Sequence, residues 1–261
     1  MPVSENLYYS FHRDTVAQNP PVVLIHGAGG LHLYWPPEIR RLPGYSVYAI
    51  DLPGHGKSEM CDGQQTIGDY AKYLVQWLES IQLRRAVFVG HSMGSAIALT
   101  LAFHHPEYVI GLVLIGAGAR LRVNPELLNY AADQTTFLKA LDFMVSFSFS
   151  PATPTRLIEL ASQRFKAPRQ SVFYGDLLAC NRFDVTERLG MVQQDTLVIC
   201  GADDQMTPVR FAQYLSSSIP NARLSIIPNA GHMVIMEQPR VVADSLLSFL
   251  KDISFHPGEE M

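Results

Sequence analysis

Six short apolar runs recur along the chain, at Val22 to Ile25, Val47 to Ile50, Ala86 to Val89, Leu112 to Ile115, Thr196 to Cys200 and Leu224 to Ile227. They are rich in Val, Ile and Leu and show little polar alternation, so neither face is suited to water. Strands apolar on both faces belong inside a parallel sheet covered on both sides. The segments between them fit crossover helices. Ile67 to Ile81 carries Ile67, Tyr70, Ala71, Leu74, Val75 and Leu78 at three-and-four spacing, which gives one buried stripe. Val241 to Leu250 repeats the pattern. Tyr8 to His12 adds an edge strand, and Phe255 to Met261 reads as a frayed tail. The expected fold class is α/β, a mostly parallel central sheet flanked by helices. With 261 residues, 48% of them apolar, the chain can build one sizeable core.

The alternation breaks between strands. From residue 119 to 192 the pattern is helical with no convincing buried strand, so residues 1–118 and 193–261 are expected to form the core and 119–192 an inserted helical cap. Pro125, Pro154 and Pro168 can each open a helix there, because proline is tolerated in the first turn. Seven of the thirteen Phe residues fall in this stretch: Phe137, Phe143, Phe147, Phe149, Phe165, Phe173 and Phe183. A cap with an apolar underside follows.

Charge and cysteine usage exclude several classes of function. The net charge is −4 and Lys and Arg are scattered, which argues against nucleic-acid or anionic-membrane partners. Cys61, Cys180 and Cys200 are widely spaced without a CxxC pair, which suits a reducing compartment and offers neither a disulfide framework nor a metal site. No leader pattern or membrane-spanning run is read, so a soluble, cytoplasmic protein is expected, as a monomer or homodimer.

Gly90, His91, Ser92, Met93 and Gly94 follow the run Ala86 to Val89 and precede the helix-forming stretch Ser95 to Phe103. A strand entering a helix this abruptly puts its middle residue on a strained turn, and the flanking residues must lack bulk. The serine hydroxyl is thereby held at a helix N-terminus, the arrangement of a nucleophile elbow. Serine is a poor nucleophile at neutral pH, so it needs a base and a group that orients the base. Functional side chains collect at the carboxyl ends of strands in such sheets. After Thr196 to Cys200 come Asp203 and Asp204; after Leu224 to Ile227 comes His232, the one histidine of nine that follows a late strand in a glycine-containing loop. Either aspartate could turn inward. Gly116 to Arg122 holds no carboxylate, which removes the other natural location for the acid.

The glycine-rich loop His26 to Gly30 lets backbone approach a substrate oxygen. The expected oxyanion donors are the backbone N–H groups of Ala28 and Met93. His26 buttresses loops, His104 and His105 are structural, and His12 and His256 are expected to be exposed. Gly56, Lys57 and Ser58 resemble the end of a phosphate-binding loop, but Asp51 occupies the position of its first glycine. No metal or cofactor is called for.

With these residues in place, the chain resembles the α/β-hydrolase superfamily, in particular its small cofactor-free serine esterases with a helical cap. The likeness rests on His26 to Gly30, Asp51 to Ser58, Gly90 to Gly94, Gly201 to Pro208 and Ala230 to Pro239. It implies Asp204, rather than Asp203, as the catalytic acid. Relatives with a carboxylate nucleophile, the epoxide hydrolases and haloalkane dehalogenases, are excluded by Ser92. The stretch before Val22 is shorter than two leading strands ordinarily need.

The expected activity is carboxylic ester hydrolysis through Ser92, His232 and Asp204, with an acyl-enzyme that water releases. Substrates are expected to be small to medium, mainly apolar esters, with Leu31, Tyr34, Trp35, Phe143 and Phe147 lining the pocket. Carbon–carbon bond hydrolysis or perhydrolysis on the same three residues is the alternative chemistry. A small-molecule receptor that retains them is the alternative class.

Overall fold

A computed structural model of the chain describes residues 3–4, 7–14, 19–165 and 168–253. The tail Phe255 to Met261, including His256, lies outside the described residues. The strands are β1 (Val3–Ser4), β2 (Leu7–His12), β3 (Val22–Ile25), β4 (Val47–Ile50), β5 (Ala86–His91), β6 (Val109–Ile115), β7 (Asp195–Gly201) and β8 (Ala222–Ile227). Their order across the sheet is β1-β2-β4-β3-β5-β6-β7-β8; β2 runs antiparallel to both of its neighbours, β1 and β4, and the other pairings are parallel. All six apolar runs fall on strands. Tyr8 to His12 lies within β2, and the two-residue β1 beyond it shows how little chain the outer edge needs.

The helices are α1 (Pro37–Arg40), α2 (Ile67–Ser80), α3 (Met93–His104), α4 (Pro125–Ala132), α5 (Phe137–Ser148), α6 (Thr155–Phe165), α7 (Gln170–Arg182), α8 (Val209–Ser218), α9 (Val234–Glu237) and α10 (Pro239–Asp252). The Thr66 hydroxyl caps α2 by accepting from Asp69 N–H at 3.1 Å. The helix then buries Ile67, Tyr70, Ala71, Leu74, Val75, Trp77 and Leu78. Side chains along the central strands alternate between two cores. Val23, Ile25, Phe88, Leu112 and Val198 meet α2, α3 and α8, while Val22, Leu24, Val87, Val113 and Leu197 meet α1 and α10.

Four helices, α4 to α7, lie between β6 and β7. The segments entering and leaving this group of helices meet at an isolated antiparallel bridge, Arg120 with Asp184, supported by Val185 N–H donating to the Ala119 carbonyl at 2.9 Å. Pro125 occupies the first turn of α4. Pro154 and Pro168 differ from expectation: both precede their helices, Pro154 accepting the first hydrogen bonds of α6 through its carbonyl. Among the described residues no helix is long and apolar enough to cross a membrane.

β8 departs from the reading of a strand buried on both faces. Leu224 and Ile226 are 37% and 41% exposed, because among the described residues β8 ends the sheet and has a strand neighbour on one side alone. His12 is partly buried rather than exposed.

The contrast between α2 and β8 is measurable. Leu74→Ala, at a fully buried position, should cost about 2–5 kcal/mol of unfolding free energy. Leu224→Ala should stay near 0.5 kcal/mol. Urea unfolding of both variants checks this; equal losses would contradict the assignment of core and edge.

Candidate active site

The register of the parallel strands brings their carboxyl ends level. Ile25 pairs with Gly90, His91 with Ile115, Ile115 with Ile199, and Gly201 with Ile227. The loops after β3, β5, β7 and β8 therefore open on one rim. Between β5 and α3, Ser92 has φ 53° and ψ −116°, a strained conformation for a residue with a side chain. A Cβ on Gly90 would lie 2.3 Å from the Gly94 carbonyl carbon, and one on Gly94 would lie 2.1 Å from the Ile25 carbonyl oxygen. Both positions exclude any larger residue. Ser95, which sequence reasoning missed, stitches the turn: its hydroxyl donates to the Gly90 carbonyl at 2.7 Å and accepts from Ile115 N–H at 3.1 Å. Only the fold reveals that role, since a serine in the first turn of a helix carries no distinctive signal.

Asp204 is buried after β7. One carboxylate oxygen accepts from the backbone N–H groups of Met206 and Thr207 at 2.9 and 2.8 Å. The other accepts from the Thr207 hydroxyl at 2.8 Å and faces His232 Nδ1 at 2.9 Å. Burial pushes the Asp204 carboxyl up, but His232 and the Thr207 donors outweigh it and hold it below its ordinary value. Asp203 is exposed and accepts from the Ser150 hydroxyl at 2.6 Å. The structure thus brings Asp204, and not Asp203, to the imidazole. With Nδ1 donating to the carboxylate, Nε2 of His232 is left as an acceptor; it is buried and has no hydrogen-bond partner among the described residues.

His91 holds the histidine loop from beneath, its Nε2 donating to the His232 carbonyl at 2.9 Å. Burial, aided by nearby His232, pushes the His91 pKa down to about 3, so this ring stays neutral. Glu237 on α9 accepts from Gly231 N–H and Ser150 N–H, both at 2.8 Å, and ties the same loop to the residues after α5.

After β3, His26 Nε2 accepts from Leu52 N–H at 3.0 Å while Nδ1 faces the Gly27 carbonyl at 2.8 Å. Burial, with His55 second, pushes its pKa down to about 4. It supports loops, as its position suggests. The backbone runs so close to the nucleophile candidate that a Cβ on Gly27 would lie 3.1 Å from Ser92 Cβ. Ala28 stands beside Ser92 on the cavity wall, and Met93 begins α3, where first-turn N–H groups have no partner within the helix.

Two cavities meet at these residues. The larger, about 490 Å³, is walled mainly by apolar side chains, among them Leu121, Val123, Phe143, Phe147, Leu177 and Phe211. The smaller, about 40 Å³, is walled by Tyr34, His91, Leu141, Phe165, Phe173 and Met233. Ala28, Ser92, Met144 and His232 border both. Phe143 and Phe147 border the larger cavity and Tyr34 the smaller. Leu31 and Trp35 face neither, because the turn at His32–Tyr34 directs Trp35 into the α1–α10 core, where it is fully buried and Leu31 packs against it. Burial also raises the Cys180 thiol pKa, which makes it a poor competing nucleophile in the cavity wall.

A strained serine on a strand-to-helix turn, level with a buried histidine–aspartate pair at the carboxyl rim of a parallel sheet, defines an α/β hydrolase. Residues 20–239 match the α/β-hydrolase-fold family, and the chain belongs to it. Monoacylglycerol lipase ABHD6 of Bos taurus is 28% identical over 94% of this chain and 79% of that protein. A thermophilic esterase of known structure is 33% identical, with a TM-score of 0.80 over 95% of this chain and 99% of its own. A thermophilic esterase from Thermogutta terrifontis, 25% identical, superposes with a TM-score of 0.85 over 95% and 94% of the two chains.

The depressed Asp204 pKa has a consequence for stability. Such a group contributes stability that is fully present above the unfolded carboxylate pKa, about 3.9, and is lost as pH falls through the folded value. The gap in unfolding free energy between wild type and Asp204→Asn should therefore be widest near neutrality and shrink below about pH 4. Denaturant melts at several pH values test it; a gap that widens on acidification would contradict the pairing.

Proposed function

We propose that the protein is a carboxylic ester hydrolase in which Ser92, His232 and Asp204 form a catalytic triad. The observation that carries this reading is the unpartnered Nε2 of His232 on the cavity that Ser92 also borders, with Nδ1 of the same ring held by Asp204. Ser92 attacks the acyl carbon as His232 takes its proton; His232 then protonates the departing alcohol, leaving an acyl-enzyme. Water, deprotonated by the same imidazole, attacks the acyl carbon and releases the acid and Ser92. The N–H groups of Ala28 and Met93 hold the oxyanion at both steps. The segment 119–192 acts as a cap, since α4, α5 and α7 supply Leu127, Phe143, Met144, Phe147 and Leu177 to the larger cavity.

The cavity pair supports a substrate shape. Mainly apolar walls favour uncharged groups, and the smaller chamber, about 40 Å³, has less than a tenth of the volume of the larger, about 490 Å³. One arm of the ester is therefore medium-sized and apolar, the other very short. p-Nitrophenyl acetate and methyl hexanoate should both be hydrolysed, and p-nitrophenyl benzoate, bulky on both sides of the carbonyl, at least about tenfold more slowly by the loss of one well-fitted arm. Ser92→Ala should lower turnover of every substrate by at least about a thousandfold. Residual turnover of a few per cent would remove Ser92 from its role, and equal rates on the benzoate would remove the two-arm assignment alone.

A further inference from the structure

Asp176 is fully buried although it belongs to α7, in the inserted segment. Its carboxylate reaches away from its own helix to three separate parts of the molecule. One oxygen accepts from Gly29 N–H at 2.7 Å and faces His55 Nε2 at 2.8 Å. The other accepts from the Tyr70 hydroxyl of α2, which itself accepts from Gln64 N–H at 3.0 Å. Both oxygens are thus partnered by groups from outside α7, in a setting where an unpaired buried carboxylate would be costly.

The surrounding backbone is shaped to admit α7. A Cβ on Gly175 would lie 2.8 Å from the Gln64 carbonyl oxygen, and one on Gly29 would lie 2.8 Å from Phe173 Cδ2. Gly29 has φ 62°, a conformation that points its N–H toward Asp176 at little steric cost. His55 Nδ1 faces the Pro53 carbonyl at 3.0 Å, so both ring nitrogens have acceptors. Burial lowers the His55 pKa, but the charge and hydrogen bond of Asp176, the Pro53 carbonyl and the Asp51 charge together outweigh it, and the net shift is upward.

Gly29 directly follows Ala28, the loop residue assigned to the oxyanion. We propose that Asp176 is a positioning residue that holds the His26–Gly30 loop in its oxyanion-binding conformation and makes that conformation depend on the seating of α7. The proposal rests on the ester-hydrolase reading above. An outward shift of α7 takes the acceptor of Gly29 N–H with it, so cap seating and assembly of the oxyanion site are one event. Asp176 touches no substrate; it acts through the backbone of Gly29.

The test uses three variants of the full chain, each with its melting temperature, kcat and KM on p-nitrophenyl acetate. Asp176→Ala removes the acceptor, and kcat should fall about a hundredfold, the scale of an ångström-level misplacement, with KM within about threefold of wild type. Asp176→Asn keeps one oxygen for Gly29 N–H and should restore kcat to within about tenfold of wild type. Tyr70→Phe removes the bond to the other oxygen, so it should lower the melting temperature while kcat changes less than about threefold. If Asp176→Ala does not fold, the Asn and Phe variants decide, because a purely structural carboxylate predicts that kcat follows melting temperature across both. Wild-type kcat in a folded Asp176→Ala, or kcat losses in Tyr70→Phe as large as in the Asp176 variants, would overturn the proposal. Absence of ester turnover in wild type would instead overturn the hydrolase reading.

Discussion

The close approach of three backbone segments around Ser92 is the constraint on which the rest depends. β3 and β5 lie side by side with Ile25 opposite Gly90, and α3 begins so near the end of β3 that the Ile25 carbonyl would collide with any side chain at Gly94. Such contact is possible because two glycines remove the Cβ atoms that would keep the backbones apart. It forces Ser92 to φ 53°, and the surrounding sheet holds that strain through Ser92 N–H donating to the Ile115 carbonyl at 2.8 Å and through the Ser95 hydroxyl. A half-buried hydroxyl at the head of a helix results, beside two cavities.

The buried histidines around that turn are differentiated by their partners. Among the described residues no carboxylate is in hydrogen-bond contact with His26 or His91, and burial drives both pKa values far down, to about 4 and about 3. They act as neutral hydrogen-bonding struts. His32, His55 and His232 each face an aspartate, Asp51, Asp176 and Asp204 respectively. Of these three, His232 alone borders the cavities, with a nitrogen left unpartnered. On the proposed reading, chemistry and scaffolding use the same imidazole–carboxylate pair, and access to the cavity separates the two uses.

Much of this was legible in the sequence because strand, turn and helix signals are local. Val22 to Ile25, Val47 to Ile50 and Ala86 to Val89 declare buried strands by composition, and a glycine-flanked serine between strand and helix declares its own backbone geometry. Asp203 and Asp204 were harder to separate, because burial of one and exposure of the other depend on where β8 returns to the rim. Leu224 and Ile226 look like core residues in isolation; that β8 ends the sheet is a property of strand order. Trp35 was misplaced because proximity in sequence to a cavity loop says nothing of which face a turn presents. Asp176 carried no signal at all, since its partner Gly29 lies 147 residues away.

The central claim is that Ser92 is the group activated by the His232–Asp204 pair. Treatment of the folded protein with a fluorophosphonate, followed by mass mapping of the modified peptide, tests it most directly. The account predicts one adduct per chain, on Ser92, formed rapidly in wild type and suppressed by His232→Ala. Labelling of a different residue, or unchanged labelling without His232, would contradict it.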